Sequence, residues 1–199
     1  ADSTPDLINN GSPVFQWSDG SGNTHHGTEG NAANTPAYQS GANGLNGKGT
    51  IKFGSGDSLA VDSTSGIKTI FAVLKQDTGQ SAETKPLGGD FVATTTGGKL
   101  GLKRTGGGII DSGINSHTWN VVAWQADAGA YAIHVNGSDQ GQSTEAQALS
   151  ALDKIGNDML GEFAEIVAYD RVLPSLAREK IEAYLAHKWG LESLLPADH

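Results

Sequence analysis

The chain has 199 residues, 28 of them glycine, no cysteine, and 13 basic against 22 acidic side chains for a net charge of -9. That charge repels phosphate backbones and anionic headgroups at long range, so nucleic acid is not an expected partner, and the lack of cysteine excludes disulfides and thiolate metal sites. No apolar stretch approaches the roughly 18 residues of a membrane-spanning helix, and 37% hydrophobic content with glycine punctuation describes short strands and tight turns around a core.

Residues 1–49 are mostly Gly, Asn, Ser, Thr and Pro, with isolated apolar anchors at Leu7, Ile8, Val14, Phe15, Trp17, Tyr38 and Leu45. They are expected to form a loop-rich opening layer. Strand character follows at 50–53, 58–61, 67–75, 99–103, 108–111, 118–127, 131–135 and 162–169, with Gly, Asn or Asp in nearly every gap. Asn136-Gly137 directly after the alternating Tyr131, Ile133, Val135 run signals a hairpin, because both residues tolerate positive φ.

One helix is expected, over about 174–188, where Ala177, Ile181, Tyr184, Leu185 and Trp189 recur at helical spacing and give a stripe that docks on the sheets. Pro174 suits its first turn, Ser175 is a candidate cap, and Gly190 is placed to stop it. The expectation is one all-β domain over 1–199, a two-sheet antiparallel sandwich with a C-terminal helix. A chain that begins at Ala1 and has its sole methionine at Met159 is expected to be a processed or excised piece of a larger exported protein.

Several stretches resemble the bacterial laminin-G-like domains of the concanavalin-A-like lectin/glucanase superfamily. They are Trp17-Ser-Asp-Gly-Ser-Gly-Asn23 with Asn34-Thr-Pro-Ala-Tyr38; Gly161-Glu-Phe-Ala-Glu-Ile-Val-Ala-Tyr169 with Arg171 and Leu173; and Ile181-Glu-Ala-Tyr-Leu-Ala-His-Lys-Trp-Gly190 closing on Leu195-Pro-Ala-Asp-His199. Phe53-Gly-Ser-Gly-Asp57 and residues 131–137 are similar to the strands between, so the likeness spans most of the chain. The resemblance implies a jelly-roll pair of sheets and a role in binding or adhesion. Gly54 and Ala164 stand where many relatives carry Asp, so a metal site built on those two carboxylates lacks them here.

Asp19, Ser21 and Asn23 alternate as oxygen ligands do at the start of a calcium loop, which makes them candidate calcium ligands. A full loop of the EF-hand kind would need Gly at its sixth position and Glu at its twelfth, where this chain has Thr24 and Gly30. The competing reading is a hydrogen-bonded Asx-type turn that packs Trp17. His25 and His26 are adjacent, so their rings point apart, and they are expected to contact a ligand rather than chelate a transition metal. Of Trp119 and Trp124, which have opposite strand parity, one is expected to be buried and the other exposed. Trp124 with Asp19, Asn23, His25 and His26 is taken as the candidate ligand surface.

Signs of catalysis are few. Gly56-Asp57-Ser58-Leu59 matches the nucleophile block of an esterase family, but the chain is β-rich and is expected to form a turn there. Glu162 and Glu165 are the nearest approach to a glycosidase acid pair, yet residues three apart on a regular strand face opposite sides, and Glu165 is expected to hydrogen-bond buried backbone. The expected function is therefore a non-catalytic, secreted or cell-surface binding module, taking carbohydrate, with calcium as the candidate cofactor. An adhesin peptide-binding or spacer domain and a polysaccharide-degrading domain are the alternatives. The expected partner is an extracellular glycan or protein surface, met by a monomeric module in a multidomain chain without membrane insertion.

Overall fold

The computed structural model describes residues 9–64, 66–79, 84–88, 98–103, 109–127, 130–143 and 151–199. In chain order its strands are β1 (Gln16–Trp17), β2 (Gly27–Thr28), β3 (Ala37–Gly41), β4 (Gly47–Phe53), β5 (Leu59–Thr64), β6 (Thr69–Gln76), β7 (Lys99–Lys103), β8 (Ile109–Asn115), β9 (Asn120–Asp127), β10 (Ala130–Val135), β11 (Ser138–Ser143), β12 (Leu152–Ile155) and β13 (Gly161–Tyr169). One α-helix, α1 (Ser175–Trp189), follows them. All pairings are antiparallel, in a seven-stranded sheet of order β11-β10-β9-β6-β13-β4-β3, a four-stranded sheet β1-β2-β5-β12, and the pair β7-β8.

The fold is a β-sandwich. The inner face of the large sheet, with Ile70, Leu74, Trp124, Tyr131 and Phe163, packs against Leu59, Leu100, Leu102, Leu152 and Ile155 of the smaller sheets. Its outer face, with Phe71, Val73, Val121 and Ala123, packs against Leu185, Ala186 and Trp189 of α1. The central strands are thus covered on both sides. That explains why β6 is the nearly continuous apolar run Thr-Ile-Phe-Ala-Val-Leu and not a polar/apolar alternation.

The opening layer contains more sheet than its composition announced. β1, β2 and β3 are short, and β11 is the polar edge partner of the hairpin at Asn136 (φ 52°) and Gly137 (φ 78°). The helix ends at Gly190 in the left-handed region, as expected. Pro174 sits just before the first turn, where its carbonyl accepts the N–H groups of Ala177 and Arg178, and no side chain caps the start.

The docked stripe differs from the expected one. Its buried positions are Arg178, Glu182, Leu185, Ala186 and Trp189, whereas Tyr184 is 57% exposed. The N-terminal half of α1 therefore buries an ion pair within the helix itself, Arg178 Nη1 to Glu182 Oε2 at 2.7 Å, to which His199 Nε2 of the C-terminal segment adds a 3.2 Å contact. The C-terminal half docks through Trp189, whose indole N–H donates to Glu165 Oε2 at 2.6 Å while Lys188 Nζ donates to Glu165 Oε1 at 2.8 Å. Asn46, in the β3–β4 turn, donates to the carbonyls of Trp189 and Gly190.

Glu165 faces the helix because β13 carries a bulge. Phe163 pairs with Leu74 and Glu165 with Val73, so Ala164 is an extra residue and the facing parity changes after it. The strand alternation expected from the sequence is overturned at this point. Glu162, paired with Lys75, and Glu165 both lie on the outer face, and Glu165 bonds helix side chains instead of backbone.

Replacing Glu165 by Ala is expected to leave the Trp189 N–H and the Lys188 ammonium without their acceptor, costing about 2 kcal/mol and lowering the melting temperature by roughly 4–8 °C. Calorimetry of the two proteins checks this. A second expectation concerns His134, which burial and then the Arg178 charge press from the usual 6.5 down to about 4. Its folded pKa lies below its unfolded one, so the stability it contributes is present above about 6.5 and is lost as pH falls towards 4. Burial raises Glu182, which has the opposite sign, so His134 is read by difference. Urea titrations at pH 7 and pH 5 should show wild type losing about 2 kcal/mol more than a His134→Leu variant.

Candidate functional site

Trp17 closes β1 and Gly27 opens β2, so the residues between them form a hairpin loop over one end of the sandwich. Inside the loop, Asp19 organises the backbone. Its Oδ1 accepts the Ser21 N–H at 2.8 Å, and its Oδ2 accepts the Ser21 hydroxyl at 2.7 Å and the His25 N–H at 3.1 Å. The Ser21 hydroxyl oxygen in turn accepts the Asn23 N–H at 3.2 Å. The Ser21 backbone bond and then its hydroxyl bond hold the Asp19 carboxyl below the usual carboxylate range.

His26 Nδ1 accepts the Asp19 N–H at 2.9 Å. This bond requires an unprotonated Nδ1 and fixes the ring inward as a brace for the loop. His25 is exposed and lines the adjacent groove.

The loop forms one wall of a groove of about 810 Å³, through Trp17, Asp19, Ser21, Asn23 and His25. The opposite wall is the run 164–171 from β13 onward, with Lys188 of α1 at its rim. The floor is aliphatic and consists of Val61, Ile67, Leu152 and Ile155, members of the sandwich core that show only 7–8% of their surface. The groove is therefore the open end of the sandwich, apolar at its base and polar on its walls.

Four residues picked from the sequence, Asp19, Ser21, Asn23 and His25, meet in this groove, and His26 supports them from behind. Trp124 is corrected. It is fully buried in the core, with its indole N–H donating to the Gly101 carbonyl at 3.1 Å across the two layers. The partly exposed tryptophan of that strand region is Trp119, on the helix side of the sheet with Lys75 Nζ 5.1 Å from its ring, and it does not line the groove. The aromatic wall is supplied by Trp17. The sequence points to Trp17 only as packing and does not bring Glu165, Asp170, Arg171 or Lys188 to this site, because β13, the residues just after it and α1, all remote from the loop in sequence, deliver them.

Asp19 and Ser21 use their side-chain oxygens for bonds within the loop, which a cation would have to share or displace, and among the described residues no three His, Asp or Glu side chains converge. An acid pair is equally unready. Glu162 is held by Lys75 at 3.0 Å and the Thr50 hydroxyl at 2.7 Å, and Glu165 by Lys188 and Trp189. Burial works against the charge on Lys188, and the Glu165 carboxylate outweighs it and raises the ammonium pKa. Asp57 and Ser58 lie in the turn between β4 and β5, where Asp57 Oδ2 accepts the Gly54 N–H and the Ser58 N–H donates to the Asn34 carbonyl.

No family model and no curated protein matches this chain in sequence. Among solved structures it is similar to domain 4 of a GH43 extracellular arabinanase from Geobacillus stearothermophilus, in complex with arabinotriose. That match has 16% identity and a TM-score of 0.54, over 78% of this chain and 83% of that one. It is also similar to Trypanosoma rangeli sialidase in complex with the inhibitor DANA (13%, TM-score 0.54, 91% and 34%) and to the binding domain of Paraclostridial mosquitocidal protein 1 (13%, TM-score 0.51, 87% and 52%). The chain spans about half of the toxin domain and a third of the sialidase. At these identities the shared property is the β-sandwich fold.

Asp19→Ala is expected to cost about 1 kcal/mol by releasing three donors and to lower the melting temperature by roughly 2–4 °C. Wild type should melt at the same temperature in chelator and in millimolar calcium, and a rise of several degrees with calcium would show that the loop rearranges around the ion.

Proposed function

We propose that this chain is a non-catalytic extracellular binding module of the laminin-G-like, lectin type, and that it takes a glycan in the groove between the Trp17–His25 loop and β13. The observation that carries this reading is the pairing of a partly exposed Trp17 ring with exposed Asn23 and His25 side chains above an aliphatic floor. Sugars present apolar C–H faces and hydroxyl edges, and a site with one flat ring and a few fixed polar groups meets both.

Recognition without turnover is the chemistry these groups favour. Glycoside cleavage needs one carboxylic acid free to donate a proton and a second free to attack or activate water. Here each candidate carboxylate already accepts bonds from a lysine and a further donor. The arabinanase domain that shares the fold holds arabinotriose, which supports a glycan as the ligand class. A wide groove desolvates few ligand atoms, so single-site affinity is expected to be modest and firm attachment to come from repeated display.

A glycan array run with and without calcium identifies the ligand, and calorimetric titration then reads the site. His25→Ala should weaken binding several-fold, and Trp17→Ala by about tenfold, close to 1.4 kcal/mol. Unchanged affinity in both variants would remove the loop from the site. Product released from the bound glycan would overturn the non-catalytic reading.

A further inference from the structure

The wall of the groove opposite the loop has a different chemistry. β6 pairs with one edge of β13 along its whole length, Gly161 to Tyr169. β4 pairs with the other edge only at Gly161, Glu162 and Phe163, and the two strands part at the Ala164 bulge. Beyond it, residues 165–168 have no ladder partner on that side among the described residues. The groove is lined by every residue from 164 to 171, including Ile166, which faces the sandwich core, and Val167, which faces the helix. A strand that met the groove with one face would contribute only alternate residues, so β13 meets it edge-on.

Edges of this kind are normally blunted by lysine, proline or an inward charge. The run Glu165-Ile-Val-Ala-Tyr169 has no lysine and no proline, and its one charge is drawn onto α1 by Lys188 and Trp189. Residues 165–169 give about 17 Å of strand. An added strand would lay alternate side chains on the aliphatic floor of Val61, Ile67, Leu152 and Ile155. Asp19, Glu165 and Asp170 line the same groove against Arg171 and Lys188, three acidic groups to two basic, and the whole chain carries -9, so the field favours a cationic partner.

We propose that the free edge of β13 is an acceptor for an extended peptide segment of a basic protein, one that alternates apolar and Lys/Arg side chains and adds a strand at residues 165–169. This goes beyond the glycan reading, which rests on the opposite wall, and the two ligands compete for one groove.

The probe is an acetylated, amidated octapeptide of alternating lysine and valine, compared with the same peptide N-methylated at every backbone nitrogen, which keeps its charge and removes its strand-pairing donors. Fluorescence anisotropy at about 0.15 M salt, where surface charge is screened beyond roughly 8 Å, should show the parent binding at least tenfold more tightly. Amide hydrogen exchange of wild type should slow at alternate residues within 165–169 when the parent is bound. Absence of binding, equal affinity of the two peptides, or binding with unchanged exchange at those amides would overturn the proposal. Array glycans that bind a protein unresponsive to the peptide would leave the glycan reading standing alone, and strand addition without any glycan binding would do the reverse.

Discussion

One additional residue in β13, Ala164, couples the two halves of the structure. By shifting the register against β6 it turns Glu165 towards α1, and there the carboxylate receives the Trp189 indole and the Lys188 ammonium. At the same point β4 leaves β13, opening the gap that becomes a wall of the groove. A regular strand would send residue 165 into the core and let the β4 ladder continue. The bulge thus sets both the docking of the helix and the existence of the site.

Helix docking in this protein is only partly hydrophobic. Leu185, Ala186 and Trp189 bury an apolar patch, while Arg178, Glu182 and His199 form a charged cluster under the first half of α1 and His134 lies beside Arg178. Such a cluster gains little net stability, because desolvation offsets most of the Coulomb attraction. Its geometry is specific, however. Arg178 and Glu182 sit one turn apart on α1, and the contact of Glu182 with His199 ties the helix to the C-terminal segment, while α1 in turn brings Lys188 to the rim of the groove.

The loop wall and the strand wall bring different properties to one cavity. The loop bonds its own backbone through Asp19, Ser21 and His26, and Trp17, Asn23 and His25 line the groove. The strand wall presents a stretch that has no partner strand among the described residues, beside a nearly buried aliphatic floor. On the proposed readings both walls recognise a ligand, and the two glutamates of β13, Glu162 and Glu165, are paired with Lys75 and Lys188.

Much of the sandwich was legible from local pattern. Residues 99–103, the β6 and β13 runs, the Asn136-Gly137 hairpin and the helix with its Gly190 stop all follow from periodicity and turn chemistry, which act over a few neighbouring residues. The short strands β1, β2, β3, β11 and β12 carry no such signal, since their strand state comes from pairing, with the next strand along the chain for β1–β2, β3–β4 and β10–β11 and with the distant β5 for β12. Parity could say that Trp119 and Trp124 face opposite ways, but which face is the core depends on what packs there, and the structure buries Trp124. Likewise Tyr184 fits the helical stripe by spacing yet stays in solvent, because Arg178 and Glu182 take the buried side. The sequence by itself determined the strand class, the turns and the loop that carries Asp19, Asn23 and His25. Tertiary structure alone decided the parity change at Ala164 and the groove, because each exists only where segments far apart in the chain meet in a particular register.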